Sequence, residues 1–474
     1  MARIPVPLGP RSDKAKQRQG GGATLVNCYV ETTEDGKTSY SINTDPGLLL
    51  FSTALSGGPG RGMVVLGNSL YAVVGETLKK ISSNGTPTTI GTVLGQKPVI
   101  ISVNRKSPNA QITITADTKD YYVENDVLAE VTDVDLPAGV HSNAYLNGRT
   151  IYGINDGRAF ASASNQTESI SALAFSEAER DSDNGTRVFA FGEEWWYFGE
   201  RSLEIFRDDP SDADFPFSPL QGAGRGKGSG CIAKSSVAIC AGLPCWVSDE
   251  RRVVRGYDAE RISTHDVERD IEASATAGQL DNITGYALEI EGHQFYILRS
   301  LTWCHVWDAL TGLWHRKTDY LGTTWRGGFY VYAFNKHLIL DATDGLIYEY
   351  TFDAADDNGD PLIPMIVTSP LNAFPDGYIC DAFHLDVQRG VGRAGQAAHI
   401  EDPQVLLRVS RDGGMTYGNE MSRSAGEQGK WKKQIRYNRL GATNGAGMVF
   451  EIRMPEPVDR AVFQAAADVR KLAG

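Results

Sequence analysis

A short meander recurs along most of the chain and limits what it can fold into. Its clearest copy is RVFAFGEEWWYFGERSLEIF, from Arg187 to Phe206. Three apolar-aromatic runs are separated there by Gly192-Glu193-Glu194 and Gly199-Glu200-Arg201. Each run is too short for a helix and is rich in the residues that suit a pleated surface. Turn residues stand where hairpins need them, so the stretch reads as three antiparallel strands. Such a meander cannot bury both of its faces alone, and copies of it have to stack.

The copies share an offset. A large residue on the second strand is followed seven positions later by another apolar residue: Tyr71 with Leu78, Tyr121 with Leu128, Tyr152 with Ala159, and Trp196 with Leu203. The series continues with Trp246 and Val253, Tyr296 and Trp303, and Ile339 and Leu346. Successive anchors lie roughly 30 to 50 residues apart, the range of a blade repeat of three or four strands. A constant offset with variable spacing means a fixed meander joined by loops of different length. Seven copies predict an all-β chain built on a β-propeller of six to eight blades, with Trp196 and Leu203 in the blade core. A pair of β-sandwiches is the alternative for so many short strands.

The flanks divide the chain. Residues 1–24 carry Arg3, Arg11, Lys14, Lys16 and Arg18 against one acid, Asp13, among prolines and a glycine run. They predict an extended basic arm, either a tail without fixed structure or a segment that orders on an acidic neighbour as an assembly arm. The propeller is assigned to residues 25–354. Asp353 to Pro361, DAADDNGDP, is acidic and poor in apolar residues, and marks a domain boundary. Strand-like runs beginning at Met365, Cys380, Gln404, Lys432 and Met448 predict a smaller all-β domain over 361–474, a sandwich or barrel. Asp208 to Gly230 reads as a long exposed loop, and DVERDIEASA, from Asp266 to Ala275, as a helix.

Composition narrows the function. With 59 acidic and 46 basic residues the net charge is −13, which argues against duplex binding through a basic face. The same charge suits a surface past which nucleic acid slides. No apolar run reaches the ~18 residues of a membrane helix, and the N-terminus lacks a signal-peptide core, so a protein made in the cytoplasm is expected. The six cysteines form no CxxC pair and read as reduced, packed thiols.

Chemical motifs are sparse. Asp356, Asn358 and Asp360 alternate as in a calcium loop but lack the closing Glu. Gly222 to Gly230 lacks the Lys-Ser/Thr of a phosphate loop. The eight histidines show no HExxH and no close pairing. No catalytic residue, metal ligand or cofactor is predicted. Ser410, Asp412, Gly414 and Tyr417 fit the pattern of an Asp-box, a hairpin turn in which the Asp accepts backbone N–H groups. Sialidases carry such boxes, which raises a glycan-binding or sialidase-like propeller as an alternative. That reading also needs an arginine cluster, and nothing in the spacing ties Arg149, Arg251 and Arg326 together.

Four stretches together resemble a known family. They are Asn27 to Glu31 before Pro46-Gly47-Leu48, the GEEWWYFGERSLEIF blade, HVWDALTGLWHRK from His305 to Lys317, and DGGMTYGNE followed by KWKKQIRYNRLG. In order and in kind they are similar to the packaged-DNA stabilisation proteins of short-tailed bacteriophages, the tail hub or nozzle proteins. The resemblance implies a non-enzymatic structural protein of the virion tail and a homohexameric ring below the portal-adaptor ring protein. It also implies a tail needle or plug and tail fibres or spikes as neighbours, with packaged DNA passing through the lumen at ejection.

Overall fold

The computed structural model describes residues 2–472 apart from positions 15, 17–21, 35, 53–56, 178–182, 212, 213, 221, 225 and 444. Every predicted meander gains a fourth strand. Among the described residues seven four-stranded antiparallel blades follow in chain order, at residues 60–92, 100–130, 140–177, 185–219, 238–261, 284–316 and 327–351, the last completed by Gly47–Ser52. They are blades 1 to 7. Their first strands gather around a central axis. Blade 7 packs back on blade 1 through Leu338, Leu340, Met63 and Leu70, which closes the ring. In the closing strand Leu48 pairs with Tyr350 and Leu49 with Glu349.

Strand alternation explains the Trp195-Trp196 dipeptide. Successive side chains on a strand point to opposite faces. Trp195 stacks on Phe206 at 4.1 Å between ring centroids and shares a core with Ile151 and Ala161 of blade 3. Trp196 points the other way, meets Trp246 of blade 5 edge-on at 6.0 Å, and shares that core with Leu203. Both tryptophans and Leu203 are fully buried. One dipeptide therefore fills two inter-blade cores.

Two connecting segments carry more structure than turns. The expected exposed loop after Asp208 contains Phe217–Pro219, the outer strand of blade 4. Phe215 and Phe217 are buried edge-on against Trp195 at 6.2 and 6.0 Å, so the aromatic pair holds down a proline-rich segment. The helix spans His265–Thr276 and buries Val267 and Ile271 in a cluster with Trp303 and Trp314 of blade 6.

The second domain is a β-sandwich. One sheet orders Cys28–Thr32, Tyr40–Thr44, Ala461–Lys471, Tyr378–Val387 and Ile435–Thr443, with Ala2–Val6 paired to Ala461–Lys471. The other orders Thr24–Val26, Met365–Val367, Val449–Arg453, Gln404–Ser410 and Met421–Ser424. Between them lies a core in which Phe383 and Phe450 stack at 4.4 Å. The second sheet is continuous with blade 6, because Val26 pairs in parallel with Arg316.

This pairing redraws the boundaries read from sequence. The hairpin from Cys28 to Thr44 belongs to the sandwich, not to the propeller assigned from residue 25. The start of the predicted arm is a sandwich strand: Val6 and Leu8 enter its core, and Ser12 is buried. Pro5 and Pro7 suggest an unpaired segment, yet a strand paired along one side tolerates proline.

Candidate functional site

The predicted arm residues are spread along the sandwich and its junction with the propeller. Arg3 Nε donates to Asp468 Oδ1 at 2.7 Å, and His384 Nε2 lies 2.9 Å from Asp468 Oδ2. The hydrogen bonds from Arg3 and His384 hold the Asp468 carboxyl well below the usual range. Arg11 pairs with Asp13 at 3.1 Å. The Lys14 carbonyl accepts from Arg269, and Lys16 is exposed. Arg18 lies outside the described residues.

Ser410, Asp412 and Gly414 lie in a hydrogen-bonded turn between the strands Gln404–Ser410 and Met421–Ser424. Ser410 Oγ donates to Asp412 Oδ1 at 2.6 Å and accepts from the Gly414 N–H at 2.8 Å. Asp412 also accepts from the Met415 and Thr416 N–H groups, at 3.0 and 2.9 Å. Bonds from Ser410 and Thr416 hold its carboxyl well below the usual range. The Arg408 guanidinium lies over the Tyr417 ring, 5.2 Å from its centroid. All these contacts are internal to the sandwich.

Propeller arginines are dispersed. Arg149 on blade 3 donates to the Ser162 carbonyl, Arg251 on blade 5 pairs with Glu272, and Arg326 beside blade 7 donates to the Tyr348 hydroxyl. Histidine pairing, in contrast, escaped the sequence. Among the described residues four His–Asp pairs form: His293 with Asp308, His305 with Asp270, His315 with Asp45, and His384 with Asp468. Only cross-strand register or distant packing brings these partners together. Among the described hydrogen bonds, no hydroxyl or thiol stands on the second ring nitrogen of any of the four.

A buried polar constellation joins the two domains. Asp45, just after the Tyr40–Thr44 strand, lies 3.1 Å from Lys317 Nζ and 3.3 Å from His315 Nε2, both at the outer edge of blade 6. Lys317 Nζ also donates to the Tyr350 hydroxyl at 3.3 Å and lies 4.8 Å from the Trp325 ring centroid. Burial alone raises Asp45, but Lys317 and His315 outweigh it and bring its pKa down to about 2. Nearby, Arg460 donates to the carbonyls of Leu362, Met454 and Ala355. These residues anchor blade 6, the 353–361 connector and the sandwich to one another. Their chemistry is mechanical: a buried cation satisfied from both domains resists their separation.

Sequence families of known proteins also separate a propeller part from a sandwich part. Among solved structures, the WD40 beta propeller domain of Doa1 has a TM-score of 0.40 and 13% identity, covering 65% of this chain and 97% of that one. BamB from Moraxella catarrhalis has a TM-score of 0.38 and 14% identity, covering 74% and 98%. No curated protein sequence matches the chain. A family model described as Bacteriophage P22 Gp10, beta-propeller, matches residues 3–355, and one described as Bacteriophage P22 Gp10, beta-sandwich, matches residues 365–470. With both domains matched in order, the chain belongs to the bacteriophage P22 Gp10 family of packaged-DNA stabilisation proteins and is a structural component of the phage tail.

Proposed function

We propose that copies of this chain close into a ring, a hexamer, at the distal end of the portal-adaptor conduit, where they retain packaged DNA and let it pass on ejection. The observation that carries this reading is the state of the propeller's own axis. Lys97, before the first strand of blade 2, meets Asp281, before the first strand of blade 6, at 2.6 Å. Blades 2 and 6 are not neighbours, so the pair crosses the axis. A duplex cannot thread an opening that one ion pair spans, and a conduit has to form between copies.

Charge and construction support the same role. A net charge of −13 favours a wall along which phosphates slide without sticking. Strands from both ends of the chain are woven into the sandwich, and the sandwich sheet runs on into blade 6, so force on one domain reaches the other. The adaptor ring, a needle or plug and fibres or spikes are the expected neighbours, with the basic N-terminal segment as one contact. No arrangement of the described arginines favours a glycan-cleaving reading.

The test is reconstitution. DNA-filled particles lacking this protein are expected to lose their genome to added nuclease, and purified protein to restore protection. Particles that stay equally leaky after it is added would contradict the proposal.

A further inference from the structure

Charge is divided unevenly along the chain. Residues 47–360, the propeller and its connector, hold 42 acids against 26 lysines and arginines, a net of −16. Residues 1–46 and 361–474, which supply the sandwich and the N-terminal segment, hold 17 acids against 20, a net of +3. One chain therefore joins a strongly acidic body to a weakly basic one.

The cations of the sandwich are concentrated at a tip. Arg423, Lys430, Lys432, Lys433, Arg436 and Arg439 are all exposed, and Glu427 is the one acid between Arg423 and Arg439. They lie on the strands Met421–Ser424 and Ile435–Thr443 and on the segment between them. Hydrogen bonds fix this tip in place: Arg423 Nε donates to the Arg436 carbonyl at 3.0 Å, and Arg389 donates to the Lys433 carbonyl at 3.1 Å. Two of the six cations have an acid near them, Lys433 with Asp402 at 3.8 Å and Arg436 with Asp468 at 3.9 Å, and Asp468 is already held by Arg3. Lys430, Lys432 and Arg439 make no ion pair among the described residues. Between the two lysines Trp431 keeps 69% of its surface exposed. Its ring lies so close to the Gly390 backbone that a Cβ there would collide with it. Tryptophan and cations together on an ordered surface are what a protein contact uses, because a partner that covers the ring gains its apolar area.

The propeller carries the complement. In an antiparallel blade the turn between the first and second strands and the turn between the third and fourth emerge at the same end. At that end of blades 4 to 6, Glu193, Asp208, Asp258, Glu260, Glu289 and Glu291 are exposed. The turns touch one another: Tyr257 Oη donates to Glu194 Oε2 at 2.9 Å across blades 4 and 5, and His293 meets Asp308 at 3.0 Å within blade 6. Among the described residues the cations there are Arg207 and Arg255, and Arg255 donates to the Ala241 carbonyl at 2.6 Å. Ile239, Tyr257 and Leu310 are exposed among these acids. Within one copy no described ion pair joins this acidic face to the basic tip.

We infer that the basic tip of the sandwich docks on the acidic propeller face of a second copy of this chain. The inference rests on the ring reading and names the contact between neighbouring copies. Two different patches of one chain make a head-to-tail contact, the kind that closes into rings, whereas a self-complementary patch stops at a dimer. The tip's lysines meet the face's carboxylates, and Trp431 is covered by its apolar residues, so each sandwich offsets the charge of the next propeller. A nucleic-acid duplex drawn to the same tip meets instead the repulsion of the −16 body fixed to it.

Two charge-reversed variants of the full chain test this by sedimentation: Lys430→Glu with Lys432→Glu on the tip, and Glu289→Lys with Glu291→Lys on the face. All four side chains are exposed, so both variants are expected to melt like the wild type. The wild type is expected to self-associate at about 0.1 M salt and more weakly at about 0.5 M. Each variant alone is expected to associate about ten-fold more weakly or worse, because like charges now face each other. A 1:1 mixture of the two is expected to recover association, since the reversed tip of one meets the reversed face of the other and the two unchanged patches also match. Variants that self-associate as the wild type does would overturn the inference and leave the ring reading standing. A mixture that does not recover, or a wild type that is monomeric at every concentration, would overturn it as well. Binding of a short DNA duplex that is lost in the tip variant, with no association between copies, would overturn it in favour of a nucleic-acid site. The ring reading fails separately, if particles carrying the wild type show no ring.

Discussion

Lys317 and Asp45 meet at 3.1 Å between the propeller and the sandwich, and their side chains keep 0% and 2% of their surface exposed. Removing one partner of such a pair strands the other as a buried charge, at a cost of about 3 to 5 kcal/mol. Lys317→Met is therefore expected to lose that much in denaturant unfolding, and to separate the two domains' transitions. Adding Asp45→Leu to it is expected to recover most of the loss, because no stranded charge remains. The pH profile follows from Asp45, whose folded pKa of about 2 lies below the ordinary aspartate value of 3.8. A depressed carboxylate contributes stability above the unfolded value and loses it as pH falls through the folded one. On the order of 2 kcal/mol is expected to disappear between about pH 4 and pH 2 in the wild type, and not in the double variant.

Asp357 is expected to behave in the opposite sense. Burial raises its pKa to about 6 although Lys317 and Arg326 pull it down, and its Oδ1 has no partner. Stability is then lost as pH rises from about 4 through 6, and the deficit is complete at neutral pH. Asp357→Asn is expected to gain about 1 to 3 kcal/mol at pH 7 and nothing at pH 4, as read from unfolding curves at the two pH values.

Leu48 holds the ring closed. It is fully buried in the strand that completes blade 7. Leu48→Ala is expected to cost about 2 to 5 kcal/mol. Hydrogen exchange would rise first in Gly47–Ser52 and Ile347–Thr351, the two strands that make the closure.

Trp196→Ala empties the core between blades 4 and 5. The side chain meets Trp246 and lies 5.0 Å from the Tyr257 ring centroid. A loss of about 3 to 5 kcal/mol is expected, with assembly failing through misfolding. A variant that melts like the wild type and fails only in partner binding would show that Trp196 serves as a contact platform instead.

The meander was legible because its large residues do the packing: Tyr71, Trp196, Trp246 and Ile339 are all buried where blades meet. Outer strands were not, because they need little apolar pattern; Glu260–Arg261 is two exposed residues. The strand Ala461–Lys471 was hidden by its composition, since AVFQAAADVRK has no strand preference and owes its form to pairing with Tyr378–Val387. Pairings between chain ends, such as Leu48 with Tyr350 and Ala2 with Val469, leave no local trace. The same holds for the junction and the axis. Asp45 and Lys317 are ordinary charged residues in sequence, and only the fold removes them from water.

If copies of this chain form the conduit wall as proposed, DNA passes between propellers and not through one. Ring-averaged electron microscopy of tails carrying the protein tests it most directly. A closed ring coaxial with the portal-adaptor conduit is expected, with an open lumen at its centre and seven-bladed propellers whose own axes lie off that centre. A protein that stays monomeric and never joins particles, or a single propeller threaded by the DNA, would contradict it.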